Sequence, residues 1–142
     1  MSLTKTSYSM ISGACANVLD YGADPTNSVD STSAFTAALA AADSVFIPAG
    51  GYKLDSTLVV PNQKTLFGDN YLSTVLYYTG TGNGIEVGNN PVNGSGVGSS
   101  KLSGFQIKCL NASNTGAGIA INAGGHSNYE LDLVYVTRFY YS

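Results

Sequence analysis

From residue 45 onward the chain repeats one pattern: three to five apolar or β-branched residues, then a break of Gly, Asn, Asp or Pro. Val45–Ile47, Leu58–Val60, Thr65–Phe67, Thr74–Tyr78 and Ile85–Val87 follow one another in this way without a helical period between them. Each predicts a short strand. Upstream, Phe35, Ala38, Leu39 and Ala42 fall at i, i+3, i+4 and i+7, which predicts one helix with a single buried face. Asp30, Ser31 and Thr32 offer side-chain oxygens to its first free N–H groups. Val18–Tyr21 reads as a short strand, and Gly22 with the Asp-Pro-Thr-Asn-Ser run at 24–28 as a turn. Residues 1–16 lack any period and read as a lead-in, so the ordered domain is expected over 17–142.

Later runs repeat earlier ones. Gly84-Ile85-Glu86-Val87 returns in kind as Gly118-Ile119-Ala120-Ile121, and Leu102–Ile107 returns as Leu131–Val136. Both intervals suit stacked coils with loops of variable length, each strand about 4.8 Å above its counterpart. A sandwich of hairpins would instead place two-residue Asn-Gly turns between neighbouring strands. Asn83-Gly84 and Asn93-Gly94 are the only such pairs, and the second falls in the Gly-rich stretch 88–100. That long loop is open to a binding role and to plain spacing alike. The expected helix is slim and Ala-rich, suited to lie over one end of a sheet and shield it from edge pairing.

Composition narrows the partners. With 142 residues the chain forms one unit with a real core. Its 44% hydrophobic content argues against disorder, and only 11% of residues are charged, so Ser, Thr, Asn and Tyr must solvate the surface. The net charge is -3, and the six basic residues are scattered, so no patch tracks a phosphate backbone and nucleic acid is not an expected partner. Cys15 and Cys109 are too few for a disulfide framework and are expected as free thiols. Met1–Lys5 is followed by polar residues rather than an apolar core, so neither a signal peptide nor a membrane span is expected.

Taken together, three runs resemble the opening of the pectate-lyase-like right-handed parallel β-helix family, particularly bacteriophage tailspike depolymerases. They are Val18-Leu19-Asp20-Tyr21-Gly22-Ala23, Asp30-Ser31-Thr32-Ser33-Ala34-Phe35, and Val45-Phe46-Ile47-Pro48-Ala49-Gly50-Gly51-Tyr52, which reads as a hairpin-like turn from Phe46 to Tyr52, with Leu66-Phe67-Gly68 beyond. Relatives of that kind carry Gly-Asp-Gly and Asp-Asp-Thr before the helix, where this chain has Asp24-Pro25-Thr26 and Asp30-Ser31-Thr32. The fold class that follows is an all-β, right-handed, single-stranded parallel β-helix, a solenoid with a short N-terminal capping helix. The resemblance implies a homotrimeric component of a phage tail, located in the virion. It would recognise and cleave a bacterial surface polysaccharide (capsule, O-antigen or exopolysaccharide) and contact other virion tail proteins.

Candidate chemistry is sparse. Glycoside hydrolysis requires two carboxyl groups roughly 5 to 9.5 Å apart. Asp20, Asp24 and Asp30 belong to turn and cap chemistry, and Asp43, Asp55 and Asp69 to corners. Glu130 and Asp132 differ: at i and i+2 of a strand they share one face, about 7 Å apart at the backbone. With Leu131 and Leu133 inward, that face is solvent, which makes Glu130 and Asp132 the catalytic candidates. Tyr135 and Arg138 follow closely and are candidates to contact a sugar. Glu86, expected on the outer face beside Tyr77 or Tyr78, is a weaker choice. Adjacent Tyr77 and Tyr78 must point to opposite faces. His126 has no Ser or Cys partner for a triad. The Asp24-Thr26-Ser28-Asp30 alternation lacks the Gly and distal Glu of a calcium loop. No cofactor and no metal are expected.

Two functions follow. In one, this segment is mainly the N-terminal scaffold of a depolymerase whose catalytic groups lie further along the coil. In the other it is a non-catalytic adaptor or receptor-binding module of the virion. On either, the apolar end at Val134–Tyr141 is expected to be covered by further coil or by another chain, because stacked repeats need polar caps.

Overall fold

A computed structural model describes residues 14–88, 99–121 and 128–139. The lead-in up to residue 13, the core of the Gly-rich loop at 89–98, and His126 lie outside them. The first pass of the chain comprises β1 (Ala16–Asn17), β2 (Thr26–Asp30) and α1 (Thr32–Ala41). The second comprises β3 (Ser44–Ile47), β4 (Gly50–Leu54) and β5 (Leu58–Val60), and the third β6 (Thr65–Gly68), β7 (Thr74–Tyr78) and β8 (Ile85–Val87). β9 (Ser99–Ser103), β10 (Gln106–Cys109) and β11 (Ile119–Ile121) make the fourth, and β12 (Asn128–Asp132) and β13 (Tyr135–Thr137) open the fifth.

These strands form three sheets ordered β1-β3-β6-β9-β12, β2-β4-β7-β10-β13 and β5-β8-β11. Every pairing is parallel. The chain visits the sheets in rotation, so the described residues are mostly β with parallel sheets and one α-helix, consistent with a parallel β-helix. Both sequence echoes are stacking registers: Ile85 pairs with Ile119, Leu102 with Leu131, and Ile107 with Val136.

Alternation places like residues in columns. Ala16, Val45, Leu66, Leu102 and Leu131 run up the inside of the first sheet. Tyr52, Leu76, Ile107 and Val136 do so in the second, and Val60, Val87 and Ile121 in the third. Burial of each large apolar side chain in such a column contributes about 1.5–3 kcal/mol. In every sheet the topmost described rung is the exposed one, at Leu131, Val136 and Ile121.

Helix α1 takes the place of a third-sheet strand in the first pass and packs against β1, β3 and β5. Phe35, Ala38 and Leu39 are buried as expected, joined by Ala34, whereas Ala42 ends the helix and is only partly buried. Phe35 meets the edge of Tyr52 at 5.6 Å between centroids. Tyr52 is fully buried and donates from its hydroxyl to the Pro48 carbonyl at 3.0 Å. Burial raises its phenol to about 12. At the other end, Lys64 Nζ donates to the Ala42 carbonyl at 3.0 Å, placing a cation at the negative end of the helix dipole.

Three local expectations need correction. Val18–Tyr21 is a 3-10 turn rather than a strand. The side chain of Asn17 accepts the Leu19 N–H at 3.0 Å, and Gly22 closes the turn at φ +92 by bonding back to Leu19 and Val18. Thr26–Asp30, expected as turn up to Ser28 and as helix start at Asp30, is a strand on the edge of the second sheet, with its register broken between Thr26 and Asp30. The turn chemistry survives inside it, because the Asp24 carboxylate accepts the N–H groups of Thr26, Ser28 and Val29, each at 2.9 Å. Finally, Phe46–Tyr52 is not hairpin-like: β3 and β4 belong to different sheets, and Pro48-Ala49 form the corner between them.

Candidate functional site

Alternation that sends Leu102 and Leu131 inward sends their neighbours out. On the outer face of the first sheet, Ser44, Thr65, Lys101 and Glu130 form one column, and Phe46, Phe67, Ser103 and Asp132 the next. Glu130 and Asp132 therefore share a face, as their spacing implies. Phe46 and Phe67 meet there with their rings tilted by 36° and 5.3 Å between centroids.

Glu130 is not alone. Its Oε1 accepts from Lys101 Nζ at 2.8 Å, one rung below. The hydrogen bond and charge of Glu130 hold the Lys101 ammonium above the ordinary lysine range, and Asp132 adds to the effect. Both side chains of the pair are well exposed, at 41% for Lys101 and 62% for Glu130. Glu130 is thus a solvated, ion-paired carboxylate, whereas a proton-donating carboxyl in glycoside hydrolysis sits in a sheltered, apolar recess.

Alongside this pair lies a depression of about 510 Å3 bounded by the first residues of β6, β9 and β12 and the corner before β6. Gln63, Thr65, Ser99 and Asn128 line it with amides and hydroxyls, together with Lys64, Lys101 and Glu130. Tyr129 is at its edge, its hydroxyl bonded to Asn62 Oδ1 at 3.3 Å. None of these partners was singled out from sequence. The signal was present for Lys101, because the step along the chain from Lys101 to Glu130 is the same as that from Leu102 to Leu131.

Other candidates disperse. Leu133 is not an inward strand residue: β12 ends at Asp132, and Leu133 turns the corner at φ +51 with 65% exposure. That corner carries Tyr135 into the second sheet. Arg138 borders a separate recess with Cys109, Leu110, Asn111 and Ala112, so neither residue joins the carboxylates. Glu86 lies on the third sheet, between Val59 and Ala120, and accepts from Asn83 Nδ2 at 2.9 Å. It is therefore not beside Tyr77 or Tyr78, which belong to the second sheet. Tyr78 points into the core and Tyr77 outward, with Lys108 Nζ 6.0 Å from the Tyr77 ring centre.

Asp24 spends its carboxylate on its own loop. Those bonds, led by the Thr26 hydroxyl at 2.6 Å, hold it down at about 2. Cys15 and Cys109 are free. Among the described residues no group of three His, Cys, Asp or Glu is placed to hold a metal, and no helix is long and apolar enough to cross a membrane.

The family described as rhamnogalacturonase A/epimerase, pectate lyase-like, matches residues 15–132. No curated protein matches the chain. Among solved structures it is similar to the ORF18 protein of Geobacillus virus E2, with a TM-score of 0.68 and 18% identity over 84% of this chain and 25% of that one. A second similarity is to the catalytic unit of a GH87 alpha-1,3-glucanase from Streptomyces thermodiastaticus. There the TM-score is 0.47 and the identity 30%, over 66% of this chain and 22% of that one. The chain thus spans a quarter or less of the length of either structure.

Proposed function

The chain belongs to the pectate-lyase-like rhamnogalacturonase A/epimerase family, and on that premise we propose that it is part of a phage tailspike that binds and depolymerises a bacterial surface polysaccharide. This segment supplies mainly the N-terminal scaffold. The coil winds as a right-handed solenoid, the hand that parallel crossovers adopt almost without exception, and α1 caps its first turn. Further coil covers Leu131, Val136 and Ile121. Three such chains assemble side by side in the virion tail, in contact with other tail proteins.

The observation that carries this reading is the parallel stacking of three sheets through successive turns, in register everywhere but at Thr26–Asp30 on the edge of the second. It gives continuous outer faces along which a polymer can lie. The fold likeness to a viral protein over 84% of the chain supports the phage setting. Glu130 and Asp132 are the candidate catalytic carboxylates of this segment, on the outer edge of β12.

The pairing of Glu130 with Lys101 favours a second reading, a non-catalytic adaptor or receptor-binding module. The two separate on incubating the purified chain with capsular and O-antigen polysaccharides of candidate hosts while following viscosity and new chain ends. Cleavage that Glu130→Gln or Asp132→Asn abolishes places catalysis on this segment. Cleavage that survives both substitutions removes them as catalytic candidates. Binding without cleavage supports the module reading or a scaffold whose catalytic groups lie elsewhere. Absence of binding to any surface polysaccharide overturns the proposal.

A further inference from the structure

The depression beside Glu130 has a charge arrangement that selects between classes of saccharide. Both of its ammonium groups are already taken. Lys64 is held by Asp43 at 2.9 Å and by the Ala42 carbonyl at 3.0 Å, and Lys101 by Glu130 at 2.8 Å. Asp132 adds its charge to the same Lys101, so among the described residues two ammonium groups face three carboxylates. A glycan carrying carboxylates would have to displace one of them or add another like charge. By contrast, Gln63 and Asn128 each present an amide oxygen and an amide nitrogen, and Thr65 and Ser99 present hydroxyls. Such groups accept from and donate to sugar hydroxyls equally well. At about 510 Å3 the space lies within the range of small-ligand clefts.

Resting on the polysaccharide reading above, we propose that this depression is a subsite for a neutral, polyhydroxylated sugar unit and that its paired lysines discriminate against uronate-containing chains. Glu130 is then a specificity element, because its carboxylate occupies the ammonium that an anionic sugar would use.

Calorimetric titration of the full chain tests this, with neutral gluco-, manno- and galacto-hexasaccharides as one set of probes and hexagalacturonate as the anionic probe. At least one neutral probe is expected to bind about tenfold more tightly than hexagalacturonate. Combining Gln63→Gly with Asn128→Ala, both at exposed positions, should weaken it about tenfold. Glu130→Gln frees Lys101 and should raise hexagalacturonate affinity about threefold, a gain that added salt removes. Circular dichroism and thermal melts of each variant establish that the fold is retained. Hexagalacturonate binding the unaltered chain as tightly as the neutral probes overturns the proposal, as does neutral binding indifferent to the Gln63 and Asn128 changes. If saccharides of neither class bind, the polysaccharide reading falls with it.

Discussion

Leu131 stands directly above Leu102 in one inward column, yet Leu102 is 1% exposed and Leu131 is 45% exposed. The two have the same side chain and the same register, and differ in what lies above them. Leu102→Ala is expected to cost about 2–5 kcal/mol, because it opens a cavity between packed rungs. Leu131→Ala removes far less buried surface and should cost under about 1.5 kcal/mol. Urea denaturation of both variants checks the difference; equal losses would mean that Leu131 is as well covered in solution as Leu102.

The corner after the first sheet makes a second contrast. Gly104 holds φ +69, and a Cβ there would stand 2.7 Å from the Gly68 carbonyl oxygen. Gly104→Ala should therefore destabilise by about 2 kcal/mol or more. One rung up, Leu133 holds φ +51 with its side chain in solvent. Leu133→Gly relieves backbone strain while adding chain entropy, and its net effect should lie within about 0.5 kcal/mol of zero. Thermal melts of both variants report the comparison.

Asp24 gives the molecule an acid-sensitive edge. Its carboxyl is lowered from 3.8 to about 2 by hydrogen bonds, first from the Thr26 side chain and then from backbone N–H groups. A depressed folded value means that the stabilisation is complete above 3.8 and is lost as pH falls through 2. The stability difference between the unaltered chain and Asp24→Asn should accordingly be full at neutral pH and shrink in that acid window. A carboxyl NMR titration should place the Asp24 midpoint near 2.

Asn114 stitches two neighbouring loops together. It is 3% exposed, donates to the Gly80 and Gly82 carbonyls at 3.0 and 2.8 Å, and accepts the Gly116 N–H at 2.9 Å. Asn114→Ala leaves those groups without their partner and should cost about 2–4 kcal/mol. Amide exchange across residues 79–84 and 110–118 should speed up in the variant. Unchanged exchange there would show that the loops hold without it.

Much of the fold was legible in the sequence, because stacking requires like residues at regular intervals. The echoes of Ile85 in Ile119 and of Leu102 in Leu131 mark rungs that pair in the structure, and the helical face at Phe35, Ala38 and Leu39 is buried. Two of the errors fell where side chains bond to nearby backbone: Asn17 and Gly22 curl Val18–Tyr21 into a 3-10 turn, and Asp24 threads turn chemistry through a strand. Propensity ranks residues by type and carries no information about which carbonyl or N–H a given oxygen will meet.

Sequence alone therefore determined the kind of architecture and the common face of Glu130 and Asp132, since both follow from recurrence, along each strand and from one coil to the next. Only tertiary structure decided the partners. It set Lys101 against Glu130, moved Tyr135 to another sheet and Arg138 to a separate recess, and left Leu131 exposed above a buried Leu102. The reason is that chemistry on this surface depends on contacts between turns, and the loops between strands, varying in length, set which residues arrive side by side.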